Sequence, residues 1–228
     1  MQTQVGVNPE FYHKDNEARK LIRRKYHVKD DEFLFGSASR FTSMKGLDDI
    51  LLALPKEGDW KYMMIGSGSQ EDKRRLQALI SERGFEDRVI VPGFVPQNQM
   101  PQYFNAIDCM LHVPRTTYSW VETFSVALVQ AMITGKAVIG SDSGSVPYQI
   151  GPNGIIVHEG DQEELRHWMH WMLNNKDRVK ELGEKMKERA DNCFSIFKLN
   201  QMFYNTITED ICQGNYDSNK IDMTNYLL

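Results

Sequence analysis

The chain alternates repeatedly between short apolar runs and longer segments of helical period, and this alternation limits the fold more than any other feature. The runs lie at 33–35, 62–65, 89–91, 110–113, 137–139 and 155–157, and they lack the apolar/polar alternation of a sheet wetted on one face. Such runs suit strands covered on both faces, as in a parallel sheet. Between them, 46–54, 70–83, 98–107 and 123–135 read as helices, each bounded by Gly, Pro or a capping residue. Strand, helix, strand in repetition implies right-handed crossovers. The expected fold is therefore α/β, a Rossmann-like, doubly wound parallel sheet of about six strands.

The two ends differ from the middle. Asp15 can cap a helix whose Ala18, Leu21, Ile22 and Tyr26 form one stripe. After the last run, 161–174, 176–190 and 196–211 read as helices, and 213–228 is polar, without periodicity, and expected to be a loose tail. A length of 228 residues amounts to one domain or a domain and a half, enough to bury a core without disulfides or metal. With 27 basic and 31 acidic side chains, the charge balance gives no general attraction to nucleic acid or anionic lipid. Cys109, Cys193 and Cys212 form no CxxC pair and are odd in number, which suits free thiols in a reducing cytosol. The N-terminus lacks the apolar stretch of a leader and no segment has the length of a membrane span, so a soluble, cytoplasmic protein is expected.

Ligands of open α/β sheets bind at the carboxyl ends of the strands, which directs attention to four loops. In 36–46, small residues from Gly36 onward permit close backbone approach, and Arg40 and Lys45 are two cations able to converge on a diphosphate beside a helix start. Solvated loop charges are the ordinary alternative for both. Gly66-Ser67-Gly68 falls short of a dinucleotide fingerprint because Glu71 stands where the third Gly is needed, and a tight turn accounts for it equally well. Glu122 precedes the 123–135 helix and Gln130 follows two turns later on the same face; for an isolated Glu there, helix-end stabilisation is the simpler role. The turn Asp142-Ser143-Gly144-Ser145-Val146-Pro147 is small enough to admit a phosphate or sugar, or to be a plain strand-to-helix turn.

Taken in order, these segments resemble the C-terminal, donor-binding domain of a GT-B fold retaining glycosyltransferase of family 4, the glycosyl transferases group 1. The resemblance is carried by Arg-x4-Lys-Gly at Arg40 to Gly46, and by Gly93-Phe94-Val95-Pro96 continuing through Met100-Pro101 and Tyr103-Phe104 to Ala106 and Asp108. An E-x7-E-like helix from Glu122, the run Gly135-Lys136-Ala137-Val138-Ile139 and an S-D-x-G-x-x-P turn complete it, over about residues 4 to 210. The resemblance implies catalytic roles for Arg40, Lys45 and Glu122: the two cations on the donor diphosphate, the carboxylate on hydroxyls of the transferred sugar. It further implies donor contacts at Gly36 and Gly144, phosphate contacts from the amides of Phe124, Ser125 and Val126, ribose contacts at Gln130 and base contacts at Phe94 and Val95. No cofactor and no metal are expected, because the cations and the helix end neutralise the leaving nucleoside diphosphate. The implied activity is transfer of a hexosyl group from a nucleoside diphosphate sugar to a glycan, lipid or other acceptor, with retention, in polysaccharide or glycoconjugate biosynthesis.

The chain departs from the pattern in several places. Gln130 replaces the second Glu of E-x7-E and offers a neutral acceptor. Residues 115–121 exceed the usual loop by about four residues, so that Arg115, Tyr118 and Trp120 are expected to shape the sugar or acceptor pocket. Tyr148 stands where the family often has Glu, and Ser145 replaces a Gly. The opening Val5-Gly6-Val7-Asn8-Pro9 resembles the segment joining the two halves of such enzymes. Expected boundaries are thus a linker remnant at 1–14, a nucleotide-sugar-binding domain at 15–175, C-terminal helices at 176–212 and the tail. The expected partner is an N-terminal acceptor-binding domain, in the same protein or a separate chain; nucleic acid is not expected, and membrane contact only peripherally through that half. Two further readings stand beside this one: a non-catalytic nucleotide-sugar-binding or interaction module, and a GT-B-like epimerase or phosphorylase.

Overall fold

A computed structural model describes residues 6–205 and residue 208. The start of the linker motif at Val5, the end of the 196–211 helix, Cys212 and the expected tail lie outside the described residues. Six parallel strands form one sheet in the order β3-β2-β1-β4-β5-β6: β1 Phe33–Ala38, β2 Trp60–Ile65, β3 Val89–Gly93, β4 Cys109–His112, β5 Ala137–Ser141 and β6 Ile155–Val157. The helices are α1 Asn16–Lys25, α2 Leu47–Ala53, α3 Gln70–Glu82, α4 Met100–Ala106, α5 Val126–Ile133, α6 Val146–Ile150, α7 Gln162–Asn174, α8 Lys176–Cys193 and α9 Ile196–Asn205.

The unbroken apolar runs are explained by helices on both faces. Along β1, Phe33 and Phe35 enter a core with Leu47, Ile50, Leu76, Ile80 and Met169 of α2, α3 and α7. Leu34 and Ala38 point the other way, into a core with Ile22, Phe104, Leu128, Met132 and Met186 of α1, α4, α5 and α8. At the sheet's edge β3 is only half-buried, and Val91 is exposed, so the reading of 89–91 as covered on both sides applies to the inner strands alone.

Element ends moved by a few residues, for local reasons. β1 continues through Gly36 to Ala38, pairing Gly36 with Met63 and Met110. A 3-10 turn at Ser43–Lys45 precedes α2, and another at Gln97–Gln99 precedes α4. The expected 123–135 helix begins only at Val126. In α1, Asp15 accepts from the amides of Glu17 and Ala18, at 2.9 and 3.0 Å, while Leu21 is exposed and Arg23 takes its place in the interior. Asp108, part of the motif run, receives Arg19 at 2.7 Å, Arg23 at 3.3 Å and the Leu34 amide at 2.8 Å, tying α1 to the starts of β1 and β4. Nearby, Lys136 is half-buried with Nζ 3.0 Å from Asn105 O. Burial, with Arg19 adding to it, lowers its pKa from 10.5 to about 7. Cys109 is buried and Cys193 half-buried, both as free thiols. Among the described residues no helix is long and apolar enough to cross a membrane.

Candidate functional site

The strand order reverses between β1 and β4, where successive connections leave the sheet in opposite directions and open a crevice at the carboxyl ends. Three loops meet there. The first follows β1 and ends in the turn carrying Lys45. Gly46 has φ of 68°, and a Cβ there would lie 1.8 Å from Val113 O, so only glycine lets this turn cross the end of β4. The second loop, from β4 to α5, carries Trp120 and Glu122. The third follows β5: Gly144, with φ of 52°, brings the turn against Glu122 O, which accepts from the Ser145 amide at 2.8 Å.

At their junction Lys45 Nζ lies 2.5 Å from Glu122 Oε2, with the two side chains 13% and 7% exposed. The Lys45 ammonium also sits 4.4 Å from the centroid of the Trp120 ring, within cation–π range. His112, the last residue of β4, places Nε2 3.4 Å from the same Glu122 oxygen. At that distance Nε2 forms no well-made hydrogen bond with the carboxylate and is buried without another partner. Burial alone would raise the Glu122 carboxyl, but His112 and Lys45 outweigh it and hold the group at about 2. Glu122 is therefore a carboxylate throughout the physiological range.

The residues singled out from sequence do not all gather here. Lys45, Glu122 and Gly144 do. Arg40 lies earlier in the first loop and is exposed; its carbonyl accepts from Ser39 Oγ at 3.2 Å, while its guanidinium has no ion pair or hydrogen bond among the described residues. Gly36 is inside β1 rather than in the loop, and the space of a Cβ is filled by Ile107 Cγ2 at 2.4 Å, so strand packing explains it. Glu122 stands three residues ahead of Ser125, the cap of α5, and not at the helix start. Ser125 itself is clamped by Gln149, whose Oε1 accepts from its amide at 2.9 Å and whose Nε2 donates to its carbonyl at 3.0 Å. That amide is thus already committed, whereas Phe124 and Val126 flank it with side chains packed against the core. Gln130 is buried; the nearby Tyr12 hydroxyl accepts from Gln97 Nε2 at 2.6 Å. Phe94 is 77% exposed while Val95 is buried in the core, so the two diverge in orientation.

His112 and Gln149 escaped the sequence reading. A histidine inside an apolar strand run is a signal for the first; nothing in the spacing marks the second, whose role depends on α6 lying beside the α5 cap. Among the described residues, no group of three or more His, Cys, Asp or Glu side chains converges to hold a metal. The site offers a buried carboxylate–ammonium pair under an indole, with an exposed guanidinium on the same loop. Such a pair can exchange partners with an anion that competes for the ammonium and with hydroxyls that compete for the carboxylate.

Comparison with known proteins gives this geometry a context. The family model described as glycosyl transferases group 1 matches residues 18–192. The N-acetyl-alpha-D-glucosaminyl L-malate synthase of Bacillus anthracis is 25% identical over 195 residues, covering 83% of this chain and 49% of that protein. The chain spans about half the length of the curated relatives it matches, or less. Among solved structures, Anabaena HepE in complex with UDP-glucose superposes with a TM-score of 0.77 at 23% identity, over 90% of this chain and 56% of that one. The C-terminal domain of a glycosyl transferase group 1 family protein from Francisella tularensis gives a TM-score of 0.72 at 18% identity, over 84% of this chain and 100% of that one. At these identities the structural likeness establishes the fold.

Proposed function

Since the chain belongs to the glycosyl transferases group 1 family, we propose that it is the nucleotide-sugar-binding half of a retaining, family 4 glycosyltransferase. It would take a hexosyl group from a nucleoside diphosphate sugar and pass it to an acceptor held by a second, N-terminal domain. The observation that carries this reading is the Lys45–Glu122 pair, 2.5 Å apart at the strand-order switch point of the sheet. The coverage of about half of the relatives supports the second domain.

In this proposal Lys45 leaves Glu122 for the diphosphate and stabilises the charge that builds up as the nucleoside diphosphate departs. Arg40, exposed on the same loop, supplies the second cation, in a bidentate geometry suited to phosphate oxygens. Glu122, freed in part, accepts hydrogen bonds from sugar hydroxyls and orients the anomeric carbon, while His112 continues to face its charge. The amides of Phe124 and Val126 and the positive end of α5 add to the phosphate site. No metal is required in this scheme, because the cations and the helix end provide the compensation. Retention follows if the acceptor attacks from the face the leaving group vacates.

Calorimetric titration with UDP, GDP and ADP in the presence of EDTA tests the reading. Binding of one of them is expected, weakened at least about tenfold by Lys45→Ala and by Arg40→Ala, the loss of one charge-assisted contact each. No binding by the unaltered chain would overturn it. A second reading, a nucleotide-sugar-binding module without transfer, draws on Gln130, which stands where the E-x7-E pattern has its second Glu. Donor binding without transfer in the presence of the N-terminal domain would favour it.

A further inference from the structure

The connection from β4 to α5 includes residues 115–121, where the sequence resemblance implies about four residues more than is usual, and three ties hold this stretch across the site. Arg115 is ion-paired to the buried Asp49, with Nε 2.5 Å from Oδ2, and its amide donates to Met44 O at 2.9 Å. Thr116 donates to the Glu159 carboxylate from its amide at 2.8 Å and its hydroxyl at 2.5 Å, and its Oγ1 lies 2.9 Å from Ser143 Oγ. The Thr117 amide donates to Trp120 O at 2.8 Å, closing a reverse turn with Tyr118 exposed at its tip. This turn returns Trp120 over the Lys45 ammonium.

The place of the indole relative to a donor follows from the residues beneath it. On the reading above, on which this inference rests, Lys45 meets the diphosphate and Glu122 the sugar hydroxyls. The bond from the anomeric carbon to the diphosphate must then lie beside this pair. An indole 4.4 Å from Nζ occupies the space next to that bond. Its face is broad, rigid and electron-rich, and attracts both a cation and the weakly positive C–H face of a pyranose ring. We propose that Trp120 is a specificity-determining residue that forms an aromatic wall for the transferred pyranosyl ring, so that the site recognises the donor's sugar as well as its nucleotide. The ligand class is a nucleoside diphosphate pyranose with an unobstructed C–H face. The turn's three ties keep the indole in place before the donor arrives, which lowers the ordering cost of the contact.

Calorimetry on the full chain with two probe pairs, UDP against UDP-glucose and GDP against GDP-mannose, tests this. The quantity read is the ratio of the Kd for the bare nucleotide to the Kd for its sugar conjugate. For the pair that binds, the expected ratio exceeds one; Trp120→Ala lowers it by about fivefold while the nucleotide Kd moves by less than about threefold, and Trp120→Phe keeps it within about twofold. A wild-type ratio of one, an unchanged ratio in Trp120→Ala, or equal weakening of nucleotide and conjugate would each overturn the wall. The Phe variant and matched melting temperatures separate loss of the wall from loss of the fold. Failure of the wild-type chain to bind either pair would instead overturn the donor-binding reading, and this proposal with it.

Discussion

A carboxylate and an ammonium buried together hold each other in the charged state, whereas an ammonium buried without a carboxylate loses its proton more easily. Both cases occur here, at opposite ends of the sheet. Glu122 and Lys45 form the first, at the carboxyl ends of the strands. Lys136, at the start of β5, is the second: its Nζ has the Asn105 carbonyl as hydrogen-bond acceptor, and Arg19, Lys14 and Arg23 oppose its charge, with Asp108 alone favouring it. Its pKa of about 7 against an ordinary 10.5 means that the unfolded chain holds this proton more tightly. Stability accordingly rises with pH between those two values and lies at its lower level below about 7. Lys136→Met, which keeps the length of the stem, is expected to raise the melting temperature at pH 7 by about 2–4 °C for each kcal/mol recovered. Differential scanning calorimetry at pH 7 and pH 10 checks this: the gain should shrink toward the higher pH. The Gly-Lys-Ala-Val-Ile run gave no warning of this, because the groups that depress Lys136 come from α1 and its neighbourhood.

Single helices show where local pattern suffices and where it does not. The inner strands were readable because two helical layers let both of their faces be apolar over successive residues. The start of α5 was not, since Thr123 and Ser125 are both good capping residues. Ser125 is selected by Gln149, which is fully buried and serves both backbone groups of Ser125 from α6. Gln149→Ala would leave the buried Ser125 N–H unsatisfied, at about 1–3 kcal/mol, while its carbonyl keeps the bond from the Val129 amide at 3.3 Å. A loss of roughly 1–3 kcal/mol in urea unfolding is expected, with weaker nucleotide binding because Glu122 sits on the segment that Gln149 pins. Full stability in this variant would show that the clamp does not hold the helix start.

For the molecule as a whole, the strand order creates one crevice at the switch between β1 and β4, and the candidate site is there. A donor bound only by the folded chain stabilises it by about 2.7 kcal/mol at a concentration a hundred times its Kd. On that scale the melting temperature should rise by about 5–10 °C with the correct nucleotide sugar and stay unchanged with the others. A thermal-shift panel of UDP, GDP and ADP sugars reads this directly. Toward the end of the described residues, Ile196, Phe197, Phe203 and Tyr204 of α9 are exposed. From sequence alone came the fold class, the number of strands, the family resemblance and the Lys45 and Glu122 candidates, because covered strands and loop motifs leave patterns within a few residues of one another. Tertiary structure alone decided that Lys45 pairs with Glu122 beneath Trp120, that His112 faces the same carboxylate, and that Gly36, Val95 and Gln130 are buried. Those contacts join residues far apart in the chain, and their partners and depth of burial exist only once the sheet has brought its loops together.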